Sequence, residues 1–286
     1  MKPKYHPLKS LTLLSAASVM AAASIHAATL TTSGNINDES NWDTGTLPAT
    51  GETGYVNIDA SWPSTSAAGT LAITGDLVFG GGSTLTAAID VVGFNPNSVT
   101  FNDVTVTVND DIFTGGTTGN FIFNAGSVTN VNDDFEANGG GTITVNGGTH
   151  TVGINSPNTG YFGAQNNSTL NFFGGTVSAD HFRSTASGTI NISSSATLTV
   201  DTLSLEGALN FFSDWTGSLT ATTLSSTDWE NNIINTATLD GTTVTEGIFA
   251  ENFLVTADGT TLSLIPEPSA ALLGALGLLG LLRRRR

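Results

Sequence analysis

The middle of the chain repeats one pattern five times between residues 98 and 207. Each repeat has a run of alternating β-branched and polar residues, a break rich in Gly, Asn or Ser, a second such run, and an apolar residue near its end. These apolar residues stand 23, 27, 20 and 21 positions apart, and the spacing of 27 contains an insertion at 155–158; they are Ile112, Phe135, Phe162, Phe182 and Leu203. Such a repeat cannot bury its apolar side alone, so neighbouring repeats must stack.

Short β runs recurring about every 20–23 residues predict a right-handed parallel β-helix. Each coil then lays its strands on those of the coil before it, with apolar residues inside and ladders of Thr and Asn side chains outside. An antiparallel sandwich is the alternative, because its short strands also recur at even spacing. No segment shows sustained helical periodicity, so the prediction for the body of the chain is all-β.

The repeats divide the chain into parts. We predict an N-terminal capping region and first coil over 28–75, β-helix repeats over 76–207, and late coils with a C-terminal cap over 208–265. The open first coil needs a cover, which we assign to Trp42, Tyr55 and Trp62. The last part is rich in aromatic residues, namely Phe211, Phe212, Trp215 and Trp229.

The N-terminal capping region also contains a short motif, in which Trp42, Gly45 and Pro48 form a Trp-x-x-Gly-x-x-Pro element. This element resembles the opening motif of passenger-like β-helical surface proteins, where it precedes the first coil. The resemblance implies a β-helical body that is displayed outside the cell.

Charge and cysteine content exclude several classes of protein. The chain has 24 acidic and 8 basic residues and no Cys. Arg183 is the one basic residue between 28 and 265, and that stretch has a formal charge of −22. Nucleic-acid binding is excluded because nothing neutralises phosphates. The lack of Cys excludes disulfides, thiolate catalysis and Cys-ligated metals.

The first residues have the pattern of a secretory signal. Lys2, Lys4 and Lys9 precede an apolar stretch at 11–23, which is too short to span a membrane. Small residues follow, and we predict cleavage between Ala27 and Ala28, so that residues 1–27 form a signal peptide with a signal helix. The mature chain is then exported.

The last residues form a second, tripartite signal. Pro266, Glu267 and Pro268 precede an apolar segment at 270–282, and four Arg follow: Arg283, Arg284, Arg285 and Arg286. This order resembles the PEP-CTERM sorting signal (266–286) of exported proteins in exopolysaccharide-producing Gram-negative bacteria. The resemblance implies a C-terminal transmembrane helix, transient anchoring in the inner membrane, and removal of the tail by an exosortase near the Pro-Glu-Pro. An ordinary tail anchor is the alternative, although spans usually need about 20 apolar residues.

A series of aspartates accompanies the repeats. Each stands two positions before an apolar residue, taking Val92 as the apolar residue of the preceding coil; they are Asp90, Asp110, Asp133, Asp180 and Asp201. Stacked coils would place them about 4.8 Å apart, where like charges repel. The first interpretation is that they accept hydrogen bonds from backbone N–H groups at a corner. The other is that Ca²⁺ bridges them, helped by Asp111 and Asp134. No other cofactor is indicated.

These observations favour a non-enzymatic surface or extracellular-matrix protein, sorted by an exosortase and associated with exopolysaccharide or cell-envelope glycans. A polysaccharide lyase or hydrolase is the first alternative, with a site near Asp133, Asp180, His181 and Arg183, and with His150 as a further candidate. The second is a neutral-glycan-binding module on the aromatic late coils. Convergent carboxylates in a groove would favour the enzyme, an aromatic platform the glycan binder, and flat Thr/Asn faces the scaffold.

Overall fold

A computed structural model of the chain describes residues 27–63, 72–88, 90–93, 98–115, 119–154 and 159–265. Strands make up 49% of these residues, which also form two short helices, so the prediction of an all-β protein is confirmed for the described part of the chain. The strands form a parallel β-solenoid of about eight turns. The sandwich alternative is excluded because strands pair in parallel along the whole body.

The solenoid has three faces, which we number in chain order, as we do the strands. The first face consists of β1 (Ala27–Thr29), β3 (Thr53–Val56), β5 (Asp76–Phe79), β8 (Ser98–Phe101), β11 (Asn120–Phe123), the first part of β14 (Thr142–Val152) and of β16 (Thr169–Ser178), β18 (Thr189–Ile192), β21 (Ala208–Phe211) and β23 (Ala237–Leu239). The second face consists of β2 (Gly34–Asn35), β4 (Ala60–Ser61), β6 (Thr84–Ala87), β9 (Thr105–Val108), β12 (Val128–Val131), the remaining parts of β14 and β16, β19 (Thr197–Val200) and β22 (Ser218–Ala221). Because β14 and β16 run through the corner, these two faces form one hydrogen-bonded sheet.

The third face is a separate sheet of six parallel strands. They are β7 (Val91–Gly93), β10 (Ile112–Thr114), β13 (Phe135–Ala137), β15 (Tyr161–Ala164), β17 (His181–Ser184) and β20 (Thr202–Leu205). The five apolar residues that defined the sequence repeat pair with one another in register on this sheet. The predicted period is therefore confirmed, and the coil that contains the 27-residue spacing keeps the register. The insertion itself, 155–158, lies outside the described residues.

Apolar side chains fill the interior because alternate residues of each strand point inward. Strands such as β9 alternate half-buried and buried positions along their whole length. Phenylalanines stack coil over coil: the ring centroids of Phe79 and Phe101 are 5.3 Å apart, and those of Phe101 and Phe123 are 4.5 Å apart. Phe135, Phe162 and Phe182 continue this internal stack behind the third face.

The N-terminal end is closed by the segment around a short 3₁₀ helix (Glu39–Asn41). Thr31 and Thr32 donate backbone hydrogen bonds to the carbonyl of Asn41. Trp42 is buried and its indole N–H donates to the carbonyl of Ile36 at 2.9 Å. Trp62 is also buried, whereas Tyr55 is 39% exposed and faces solvent, so Tyr55 does not take part in the cover that we assigned to it.

The C-terminal end departs from the parallel pattern. The chain forms α1 (Ser226–Ile233), β24 (Thr242–Thr243), α2 (Glu246–Asn252), β25 (Phe253–Val255) and β26 (Thr261–Leu264). Strand β26 pairs antiparallel with β22 and so ends the second face. Three of the late aromatic residues, Phe211, Trp215 and Trp229, are core residues here.

The two terminal signals lie almost wholly outside the described residues. Ala27 and Ala28 begin β1, but the predicted signal helix and the residues from Pro266 to Arg286 are not described. Among the residues that are, no helix has the length and apolar character needed to cross a membrane.

Candidate functional site

The outer surface of the third face carries a row of aspartates stacked coil over coil. Asp90, Asp111 and Asp134 each precede a third-face strand directly, and we call them the carboxylate row. Each accepts a backbone N–H bond from the next coil: Asp111 N–H donates to Asp90 at 3.4 Å, and Asp134 N–H donates to Asp111 at 2.9 Å. Tyr161 N–H donates to Asp134 at 2.9 Å. The row continues with Tyr161 and His181, whose rings stack at 4.7 Å.

The aspartates selected from the sequence form a second, adjacent row. Asp110, Asp133, Asp180 and Asp201 occupy equivalent positions in their coils, with Gly160 in the coil between Asp133 and Asp180. Asp133 accepts from the Thr159 hydroxyl at 3.1 Å, and Asp201 accepts from the Thr222 hydroxyl at 2.8 Å. Asp180 accepts from Gly160 N–H at 3.3 Å. Of these three aspartates, Asp180 binds a backbone N–H group as the first interpretation requires, whereas Asp133 and Asp201 bind hydroxyl groups.

Asp90 departs from the predicted register. Ile112 pairs with Val91 rather than with Val92, so Asp90 lies in line with Asp111 and not with Asp110. The physical reason is that Val91 and Val92 are both buried, and two adjacent apolar residues do not reveal which one points into the coil.

Burial perturbs the carboxylate row strongly. Loss of water contact raises the pKa of Asp111 to about 6, with the charges of Asp110, Asp90 and Asp133 adding to the shift. The same effect raises the pKa of Asp134 to about 7, where Glu136 and Asp111 contribute. The pKa of Asp90 is also raised, chiefly by burial. In each case the backbone N–H bond opposes the shift and favours the charged form.

Two groups of carboxylates have the geometry to hold a cation. One is Asp90, Asp110 and Asp111, and the other is Asp111, Asp133 and Asp134; within each group one oxygen per residue lies within 4.8 Å of the others. Oxygen-only donor sets of this kind suit Ca²⁺. Members of both aspartate rows of the third face therefore come together in these two groups, as the Ca²⁺ hypothesis requires. Asp180 and Asp201 belong to neither group.

Arg183 forms the charged centre of the third face. Its guanidinium binds both oxygens of Glu136, with Nε to Oε1 at 2.8 Å and Nη2 to Oε2 at 2.5 Å. Glu136 is only 2% exposed and also accepts a hydrogen bond from Gln165. The guanidinium carbon lies 3.6 Å from the centroid of the Tyr161 ring, and Nη2 is 3.8 Å from Asp134. Burial opposes the charge of Arg183, but its acidic neighbours outweigh this and raise its pKa.

A glycine makes the Glu136–Arg183 contact possible, because the two residues belong to coils that are not neighbours. Gly163 lies between them in the same row. A Cβ atom at Gly163 would stand 1.8 Å from the carbonyl oxygen of Arg183, so the strands approach too closely for any side chain. The absence of a side chain there leaves the guanidinium a path to Glu136.

The histidines have separate positions. His181 hydrogen-bonds the hydroxyl of Thr202 through Nδ1 and stacks on Tyr161. His150 is buried in the core, where its ring nitrogens bind the Thr129 hydroxyl at 2.9 Å and the Gly147 carbonyl at 3.0 Å. Burial lowers the pKa of His150 to about 4, so this histidine is neutral and cannot serve as a surface acid or base.

On the first face the stacked row consists of asparagine side-chain amides, where the third face has carboxylates. The Asn191 side-chain amide donates to Asn171 at 2.8 Å, and Asn210 donates to Asn191 at 2.9 Å. We call these three residues the amide row. Thr144 and Thr238 extend it at the two ends. Most strands of the second face alternate inward apolar residues with outward Thr, Ser and Asn, but in β12 Thr129 is buried and Val128 is 38% exposed. The predicted outer ladders of Thr and Asn are thus present.

Two neighbours of Arg183 on the third face were not singled out from the sequence. Glu136 and Tyr161 surround Arg183, yet the sequence prediction placed Arg183 with Asp133 and Asp180. The signal was available: the residues that follow the five repeat-defining apolar positions include Glu136, Gly163 and Arg183 in one row.

Comparison with protein-family models, with curated proteins and with solved structures gives no match for this chain.

Proposed function

We propose that the protein is an exported, non-enzymatic component of the cell surface or extracellular matrix that associates with exopolysaccharide. The observation that carries this proposal is that the outer polar side chains bind one another along the rod. The amide row is internally hydrogen-bonded, the carboxylate row binds backbone N–H groups, and Arg183 is held by Glu136. Side chains held in this way stiffen a rod and are not available for chemistry.

The negative charge supplies the second part of the proposed role. A formal charge of −22 over 28–265 keeps the rod soluble and repels other copies. Divalent cations held by the third-face carboxylates would bridge the rod to acidic polysaccharide. The rod then contributes stiffness, and the cations contribute adhesion.

Delivery belongs to the same proposal and depends on the two terminal segments. The signal peptide directs export, and the Pro-Glu-Pro, apolar segment and Arg cluster direct an exosortase to the tail. The apolar segment forms the transmembrane helix, and the four Arg remain on the cytoplasmic side of the membrane. We also take the coil to be right-handed, the usual sense for crossovers between parallel strands. Strand β26 ends at Leu264, so the tail begins directly after the folded body.

The experiment that tests this proposal is intact mass spectrometry of the protein recovered from the medium and envelope of its native host. We expect loss of the N-terminal 27 residues and of the tail from near Pro266. As a control, replacing Arg283 to Arg286 by Gln should leave signal cleavage unchanged and stop removal of the tail. A tail retained through Arg286 in a host that has an exosortase would contradict sorting.

A polysaccharide lyase or hydrolase is the second candidate. Asp134, with a pKa of about 7, lies beside Tyr161 and Arg183, and this supports a proton-transfer role. Against it, the neighbouring carboxylate of Glu136 is buried and held by Arg183. Release of reducing ends from polygalacturonate or alginate, abolished by Asp134→Asn but not by Asp201→Asn, would favour this candidate.

A further inference from the structure

One corner of the solenoid changes its chemistry along the rod. The residue that follows each first-face strand lies at this corner, and we call the series the corner row. In three successive coils it is Asn102, Asn124 and Asn146, whose amides form a ladder with bonds of 2.7 and 2.9 Å. In the next four coils it is Phe173, Ser193, Phe212 and Asp240, and backbone hydrogen bonds to the preceding coil keep the last three in register. Phe173 itself lies at a register shift, since Val145 pairs with Phe172 but Asn146 pairs with Gly174.

The two phenylalanines of this row do not belong to the buried core. Phe212 is 39% exposed and Phe173 is half-buried, although the neighbouring Phe211 and Phe172 satisfy the core. The coils on either side of Phe212 have Ser193 and Asp240 at this position, so the fold accepts a polar side chain there. Exposed aromatic residues at a site that the fold can fill with a polar side chain indicate a ligand.

The two rings border a shallow groove. A cavity of about 280 Å³ is lined by Phe173, Phe212 and four polar residues, Ser193, Ser213, Asp214 and Asp240. Ser193 lies in the coil between the two phenylalanines, so the groove has a small residue at its centre and a ring on either side. The rings are two coils apart, which corresponds to about 9.6 Å.

Polar groups lie beside the rings with unused hydrogen-bonding capacity. Asp240 accepts from Ser213 N–H through Oδ1 at 3.0 Å, and Asp214 accepts from the Ser194 hydroxyl through Oδ2 at 3.3 Å. Both aspartates are exposed residues, so their carboxylates can accept further hydrogen bonds from a ligand. The amide row runs parallel to the groove, two residues before Phe173, Ser193 and Phe212 in each coil.

We propose that this Phe173–Phe212 groove binds an extended, neutral, β-1,4-linked polysaccharide chain. In such a chain every second sugar ring presents the same face, so two sugars stack on the two phenylalanines and the one between them passes over Ser193. The carboxylates and amides accept and donate hydrogen bonds to the sugar hydroxyls. This inference rests on the proposed association with exopolysaccharide and names the site and the class of glycan.

Charge selects the neutral chain. The groove contains Asp214 and Asp240, and no basic residue lines it. The nearest cation in sequence, Arg183, belongs to the third face and binds Glu136. An anionic glycan would meet two carboxylates in a protein of strongly negative charge, without a cation to offset them.

The test is isothermal titration calorimetry of the purified full-length protein in detergent with cellohexaose, mannohexaose and xylohexaose as probes, and with a galacturonate hexamer as the anionic comparison. The buffer contains EDTA, so that cation bridging of galacturonate to the third face does not contribute. We expect at least one neutral hexamer to bind and the galacturonate hexamer not to bind. Phe173→Asn and Phe212→Asn, which give the corner the residue of the earlier coils, should each weaken binding about tenfold, as expected for loss of one half-exposed ring.

Tyr55→Asn is the matched control, since Tyr55 is also 39% exposed on the first face but lies at the other end of the rod. It should leave the affinity unchanged, and all three variants should keep the melting temperature of the parent. The inference is overturned if no neutral hexamer binds, if both Phe variants bind as the parent does, or if galacturonate binds equally well. Retention of the tail in the native host contradicts sorting instead, so the two failures are distinguishable.

Discussion

The amide row on the first face and the carboxylate row on the third face each stack one residue type coil over coil. They differ in how the stacked side chains find hydrogen-bond partners and in whether like charges come close together. An amide carries a donor and an acceptor, so each Asn binds the next and the row satisfies itself. A carboxylate has acceptors alone, so each Asp must bind a backbone N–H of the next coil. The charges still face one another, and the pKa values of Asp111 and Asp134 rise to about 6 and about 7.

This difference indicates where the rod is inert and where it responds to its surroundings. Amides do not titrate, so the amide row is the same at every ordinary pH. On the third face, the negative charge of the carboxylates is offset by protons, by Arg183 and by any bound cation. A rod that needed only stiffness could repeat the amide row on every face. We therefore attribute any response of the rod to pH or to cations to the third face.

The largest expected effect comes from removing the one cation of the third face. Arg183→Met should destabilise the protein by about 3–5 kcal/mol, because it leaves the buried Glu136 carboxylate without a positively charged partner. Urea denaturation at pH 7 measures this. The double variant Glu136→Leu/Arg183→Met is the control and should recover most of the loss, since it removes both charges. If Arg183→Met unfolds at the parent's urea concentration, the third face does not depend on its cation.

The second prediction makes the amide row resemble the carboxylate row. Asn191→Asp removes the donor to Asn171 and puts an unpaired charge on the first face, which should cost about 1–3 kcal/mol at pH 7. The loss should shrink below pH 4, where the new carboxyl is protonated and can donate again. Asn191→Gln, which keeps a donor, is the comparison. Equal stability of Asn191→Asp and the parent at pH 7 would show that the amide row is not a stabilising ladder.

The third prediction removes a charge from the carboxylate row. Asp134→Asn keeps an acceptor for Tyr161 N–H and should stabilise the protein at pH 8 by about 1 kcal/mol, after allowance for solvent screening of a partly exposed group. The folded pKa of Asp134, about 7, lies above its ordinary value of 3.8. The proton's contribution to stability is therefore full below pH 3.8 and is lost as pH rises through about 7.

Melting temperatures measured from pH 4 to pH 8 check the sign of this effect. The parent should lose stability over this range, and Asp134→Asn should lose less. Asp201→Asn is the control, because Asp201 belongs to neither group of converging carboxylates. A parent whose stability rises steadily over the same range would contradict the raised pKa values.

The smallest expected effect is that of Ca²⁺. At pH 8, where Asp111 and Asp134 with pKa values of about 6 and about 7 are largely ionised, millimolar Ca²⁺ should raise the melting temperature by a few degrees, because the cation offsets the repulsion within the carboxylate row. Asp111 belongs to both groups of carboxylates, so Asp111→Asn should abolish the shift, whereas Asp201→Asn should not. An equal shift with Mg²⁺ in all variants would indicate screening of surface charge rather than a site.

The sequence was sufficient to predict the coil, its period and the stacking of four aspartates, because inward apolar residues recur at a fixed spacing. It was insufficient where two adjacent residues are both apolar, as at Val91 and Val92, or at Phe211 and Phe212. Which of the two points inward depends on the register of the neighbouring coil. The Glu136–Arg183 contact was missed for another reason: it spans two coils and depends on the missing side chain of Gly163.

The two closed ends determine how long the rod is. Asn41 covers the edge at Thr31 and Thr32, and antiparallel β26 ends the second face, so these described ends do not offer a further copy a matching parallel edge. About eight turns at about 4.8 Å each give a length of about 38 Å. The number of coils in the chain therefore sets the length of the rod. Duplicating one repeat would lengthen it by a single step.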